Sequence, residues 1–78
     1  MSNDLQTAMD RDLQAARVPM YARQERIEAD YVDALHSSST DLRDITALSE
    51  RRRGALRALA EEFAPVFAMI RDFYGAQS

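Results

Sequence analysis

Apolar residues in the first half of the chain recur at Leu5, Met9, Leu13, Ala16, Met20, Ile27, Tyr31 and Leu35, with Gln24 standing where one more would fall. The steps run 4, 4, 3 and repeat. Eleven residues in three turns is close to the natural helical period, so this spacing predicts a stripe that runs nearly straight along one helix or winds slightly right-handed. Ser2 or Asn3 can cap its start, and Asn3 with Gln6 has the spacing of a capping box.

The second half keeps a different period. Leu42, Ile45, Ser49, Arg52, Leu56, Leu59, Phe63, Val66, Ile70 and Phe73 alternate steps of 3 and 4, which is a heptad seam with Ser49 and Arg52 as its polar members. Between the halves, "HSSSTD" at 36–41 reads as a loop that ends in an N-cap, Thr40 or Asp41. A connection this short makes the two helices antiparallel neighbours.

The expected fold is therefore all-α, a long antiparallel helical hairpin forming a single domain over 1–78, with arms at 3–36 and 42–74 and a loop at 37–41. Proline in a helix interior costs about 3 kcal/mol, so Pro19 leaves two readings for the first arm: one kinked helix, or a break near Arg17 and Val18 that yields a third helix. Pro65 lies within a seam that stays in phase on both sides, which favours a kink.

Folding the chain so that Leu35 faces Leu42 sets a register in which Tyr31 meets Ile45, Met20 meets Leu56, Leu13 meets Phe63 and Leu5 meets Ile70. The polar breaks then coincide. Gln24 and Glu25 fall opposite Arg52, and Ile27 and Glu28 opposite Ser49. These five polar residues, Gln24, Glu25, Glu28, Ser49 and Arg52, form the expected polar layer, with Arg52 beside Gln24, Glu25 and Glu28, a device that fixes register and oligomeric state.

Composition narrows the picture. A chain of 78 residues without cysteine has neither a large core nor disulfides to hold it, so partnership with a second copy in a four-helix-type homodimer is expected. Thirteen acidic residues against ten basic ones give a net charge of −3, which argues against general binding of nucleic acid. The charge is uneven: residues 1–41 carry eight acids and four arginines, residues 42–78 five acids and six arginines.

The run Arg51, Arg52, Arg53 draws attention as a possible phosphate contact, but at about 100° per residue the three span about 200° of the helix and cannot share one backbone. A nucleic-acid-associated regulator using Arg51, Arg53 and Arg57 is kept as the alternative, and a structural or assembly subunit as another. Arg57 has the spacing to pair with Glu61.

Beyond Glu62 the apolar face widens. Phe63, Val66, Phe67, Met69, Ile70, Phe73 and Tyr74 cover an arc of about 160° at helical spacing, wider than one antiparallel neighbour covers. These seven are the candidate protein interface, facing a sister subunit or a larger protein. A second stripe of small residues, Ala47, Gly54, Ala58, Pro65, Ala68 and Gly75, lies on the opposite side of the same helix.

Candidate chemistry is sparse. His36, the sole histidine, stands where a helix C-terminus favours its positive form. Asp33 and His36 have the i, i+3 spacing of bundle metal ligands, but the seam supplies none of the inward glutamates such sites need. Ser37, Ser38 and Ser39 have no base to activate them, and two glycines in the whole chain leave no phosphate loop.

No catalytic residue, cofactor or metal is expected, and the protein reads as a non-enzymatic interaction module, a small helical regulator, adaptor or inhibitor of a larger protein. A compact chain of this type suits a phage or mobile element. The apolar stretch at 63–70 is far shorter than the roughly 20 residues of a membrane span, and the acidic "MSNDLQTAMDRD" is unlike a signal peptide, so a cytoplasmic location is expected.

Overall fold

The computed structural model describes residues 3–37 and 41–77. Two helices account for nearly all of them, α1 (Asn3–Ser37) and α2 (Leu42–Gln77), packed side by side in an all-α hairpin of 56 × 16 × 13 Å. At 1.5 Å per residue each helix is about 53 Å long, so the long dimension is one helix and the other two are a ribbon's width and thickness.

The start of α2 is fixed by Asp41. Its side-chain Oδ1 accepts from the Arg43 amide at 3.0 Å, while its carbonyl accepts from the Asp44 and Ile45 amides at 3.1 Å, the pattern of an N-cap. Thr40, the other candidate, lies outside the described residues, as does Ser2. The capping box expected between Asn3 and Gln6 is replaced by a forward contact, with the Gln6 amide donating to Asp10 Oδ1 at 3.1 Å, one turn along. His36 occupies the last turn of α1.

Both prolines are inside unbroken helices, which removes the three-helix reading. Pro19 and Pro65 are exposed, as are Ala15 and Glu61, whose carbonyls lose their amide donors to the ring nitrogens. Water can serve those carbonyls, and that lowers the cost of a helical proline.

The heptad expectation for α2 fails at both ends. Leu42 is 75% exposed and Phe73 58% exposed, while Tyr74 is buried at 9%. A helix without supercoil turns back by about 20° per heptad, so four heptads after Ile45 the inward direction has passed from Phe73 to Tyr74. The eleven-residue period of α1 requires a nearly straight partner, and α2 yields to it.

Register also differs from the expectation, by about one helical turn near the loop and by more toward the open end. Tyr31 bonds Ser49 rather than meeting Ile45, and of the three residues expected beside Arg52 it is Glu28 that pairs with it. Farther along, Arg23 reaches Glu62 and Asp12 reaches Tyr74, so Leu13 sits well beyond the level of Phe63. Two causes combine. Leu42, taken as the anchor of the register, is not on the seam, and side chains lean toward their own N-termini, which in an antiparallel pair carries partners toward higher residue numbers on the opposite helix.

The interior is small. Leu13, Leu59 and Tyr74 are the buried hydrophobic residues among those described, and no described side chain is fully enclosed. Gly54, on the outer side of α2, has no atom within 4 Å of where a Cβ would stand, and its φ is negative. Gly54→Ala is therefore expected to stabilise the fold by about 0.5–1 kcal/mol, read as a rise of a few degrees in the midpoint of thermal unfolding; an unchanged or lower midpoint would mean that another surface packs on this position.

Candidate protein-interaction surface

The hairpin's polar contacts form rungs along the seam. Nearest the turn, the Tyr31 and Ser49 hydroxyls lie 3.2 Å apart. One turn on, Arg52 donates from Nε and Nη2 to the two carboxylate oxygens of Glu28, each at 2.8 Å, and its guanidinium lies 5.4 Å from the centre of the Tyr31 ring. The fork geometry suits arginine and would be lost with lysine. This bond holds the Glu28 carboxyl below its ordinary pKa and the Arg52 guanidinium above its own, against partial burial, which opposes charge on both.

Arg23 supplies the next rung, an ion pair to Glu62 with its guanidinium 5.8 Å from the Phe63 ring centre. The last joins the Tyr74 hydroxyl, as donor, to Asp12 Oδ2. That hydrogen bond, and then burial, raise the pKa of Tyr74, so the hydroxyl keeps its proton well into alkaline solution.

Of the five residues expected in the polar layer, Glu28, Ser49 and Arg52 take part, with Tyr31 as an unforeseen fourth. Gln24 and Glu25 do not. Both are exposed and, with Tyr21, border a shallow depression on one broad face of the ribbon beside Glu28. The displacement follows from the one-turn change of register.

The arginine run divides as its angular spread requires. Arg52 enters the polar layer, Arg53 pairs with Glu50 of its own helix at 3.1 Å, and Arg51 borders a groove. Arg57 is exposed, and no ion pair forms with Glu61. Arg51, Arg53 and Arg57 therefore do not make one basic patch.

The seven-residue apolar arc is split by the hairpin. Tyr74 is buried against α1; Phe63, Val66, Phe67 and Ile70 are half-buried along the seam; Met69, 65% exposed, and Phe73 stand outside it. Phe73 packs edge-on against Tyr74 with ring centres 5.0 Å apart, so its position is fixed although its outer face is bare.

On the loop-proximal half of the ribbon, Ile27, Tyr31, Ala34, Leu48 and Ala55 line an open groove between the helices, flanked by Asp30 and Arg51. It continues past Ala58 and Leu59 toward Glu62. Small side chains at Ala34, Ala55 and Ala58 are what leave the space.

Comparison with protein-family models, curated proteins and solved structures returns no match. The site must be read from its own chemistry. Among the described residues no group of three or more His, Cys, Asp or Glu could hold a metal ion, and no helix is long and apolar enough to cross a membrane.

One further apolar surface lies outside the candidate interface residues. Val18, Tyr21 and Val32 are all exposed and fall within about 60° of one another on α1, on the side away from the groove. They lie off the main stripe, and the signal that could have found them is that their own spacing of 3 and 11 residues is helical.

The Glu28 carboxylate offers a test of the polar layer. Its folded pKa is lowered, so its contribution is present above the ordinary value of 4.5 and is lost as pH falls through the folded value. Glu28→Gln should lower the unfolding midpoint at neutral pH and make no difference in strong acid, where the wild-type carboxyl is also neutral. Thermal melts of both proteins across pH would read this; a gap that persists in acid would show that the pair's charge is not what matters.

Proposed function

We propose that this protein is a non-enzymatic interaction module that works as an assembled helical bundle, pairing with a second copy and acting as a small regulator, adaptor or inhibitor of a larger protein. The observation that carries this reading is the imbalance, among the described residues, between three buried hydrophobic side chains and six exposed large ones, Val18, Tyr21, Val32, Leu42, Met69 and Phe73. Exposed apolar residues grouped by helical position are the mark of contact surfaces.

Area gives the same indication. A folded monomer of this mass exposes about 4,800 Å², whereas this chain exposes 5931 Å². Its radius of gyration is 17.7 Å, against about 11.5 Å for a compact chain of the same length. A ribbon one helix thick has a second layer missing, and a four-helix bundle supplies it.

The Val18, Tyr21 and Val32 stripe with Leu42 would remain available to a larger protein once the groove side is covered. Tyrosine with β-branched neighbours suits a helix-in-groove contact. The scattered arginines give the nucleic-acid alternative no comparable support.

Association predicts unfolding that depends on concentration. A hundredfold increase in protein should raise the midpoint of thermal unfolding by several degrees, because mass action favours the assembled state by about 2.7 kcal/mol. A midpoint independent of concentration would remove the assembly from the proposal. Tyr21→Ala with Val32→Ala should leave that dependence intact while abolishing cross-linking to the larger protein in the source cells; loss of both together would assign the stripe to self-assembly.

A further inference from the structure

Met69 and Phe73 project from the same broad side of the ribbon on which the groove opens. Phe73 stands 18 residues from Ala55, five full turns, and Met69 stands 7 residues from Glu62 and 11 from Ala58, within about 20° of each. Ala55, Ala58 and Glu62 all border the groove. One face of the molecule thus carries two bare knobs at its open end and an unfilled hollow toward its turn.

Their positions along the ribbon are matched. The midpoint of α2 (Leu42–Gln77) lies between Leu59 and Ala60. At 1.5 Å per residue, Phe73 is about 20 Å beyond that point and Leu48 about 17 Å before it; Met69 is about 14 Å beyond and Arg51 about 13 Å before. A two-fold axis through the midpoint, crossing the ribbon's width, carries each knob onto the hollow of the other copy.

We infer that a second copy of this chain docks on this face with its turn at the opposite end, so that Met69 and Phe73 of each hairpin fill the groove lined by Ile27, Ala34, Leu48 and Ala55 of the other. The inference rests on the self-pairing proposed above and adds the face, the direction and the contacts. It makes the interface isologous, which closes the assembly at two copies and does not propagate a filament.

In this arrangement α2 lies across α2 of the second copy, and Ala58, within two residues of the midpoint, stands where they cross. Alanine there lets the backbones approach closely. The excess area of about 1,100 Å² per chain relative to a compact monomer, about 2,200 Å² for two, falls at the lower end of what permanent homodimer interfaces bury. The alternative alignment, with both turns at one end, would lay α2 over α1, set the hollows against each other and place Phe73 opposite the first turns of α1 near Ala8 and Asp12, the level that the Tyr74 to Asp12 bond marks.

The chain has no cysteine, so single-cysteine variants and a short bismaleimide read the geometry directly. Ala58→Cys should cross-link to itself. Phe73→Cys should not, because the two copies of residue 73 would stand about 40 Å apart, but a mixture of Phe73→Cys and Leu48→Cys should give a cross-linked dimer, with circular dichroism confirming that each variant is folded.

Sedimentation of the wild-type protein separates self-pairing from the arrangement inferred for it. A monomer at every concentration overturns the self-pairing and this inference together. A dimer in which Phe73→Cys links to Ala8→Cys, and not to Leu48→Cys, overturns the inference alone.

Discussion

Two helices share one seam, and everything else about this hairpin follows from that limit. A helix packed on a single neighbour can dry only the stripe facing it, so among the described residues three hydrophobic ones are buried along a length of 56 Å. Residues that would be core in a thicker domain, such as Phe63, Val66 and Ile70, remain half-covered. The ribbon has the length of a bundle and half of its layers.

The same limit shapes the polar contacts. Half-exposed ion pairs such as Glu28 with Arg52 and Arg23 with Glu62 are screened by water and contribute little to stability by themselves. Their value is positional. An apolar stripe slid by one turn finds another apolar stripe, whereas Arg52 finds both oxygens of Glu28 and the Tyr31 ring in one register only. Polar rungs at the turn, the middle and the open end therefore hold the alignment that a thin apolar seam leaves loosely specified.

The uncovered side links this thinness to the proposed assembly. Where alanines open a groove in one half and Met69 and Phe73 protrude in the other, a second copy turned end for end turns two defects of packing into one complementary contact. The opposite side, with Val18, Tyr21 and Val32, is left as the surface through which a bundle of this kind would meet a different protein.

Much of the fold was legible in the sequence because helical period is a local property. The eleven-residue steps of α1 and the cap at Asp41 come from spacing and turn chemistry within a few residues, whereas His36 and Ser37, expected outside or at the end of the arm, continue α1. The angular spread of Arg51, Arg52 and Arg53 was likewise fixed by the helix itself. What only the tertiary structure decided is how two periodic stripes align. Register depends on which residue first meets its partner after the turn and on the lean of side chains toward their N-termini, and these settled Arg52 on Glu28 out of the three acceptors Gln24, Glu25 and Glu28. The exchange of Phe73 for Tyr74 on the seam has the same origin, since a heptad written in one chain supercoils only if its neighbour's period allows it.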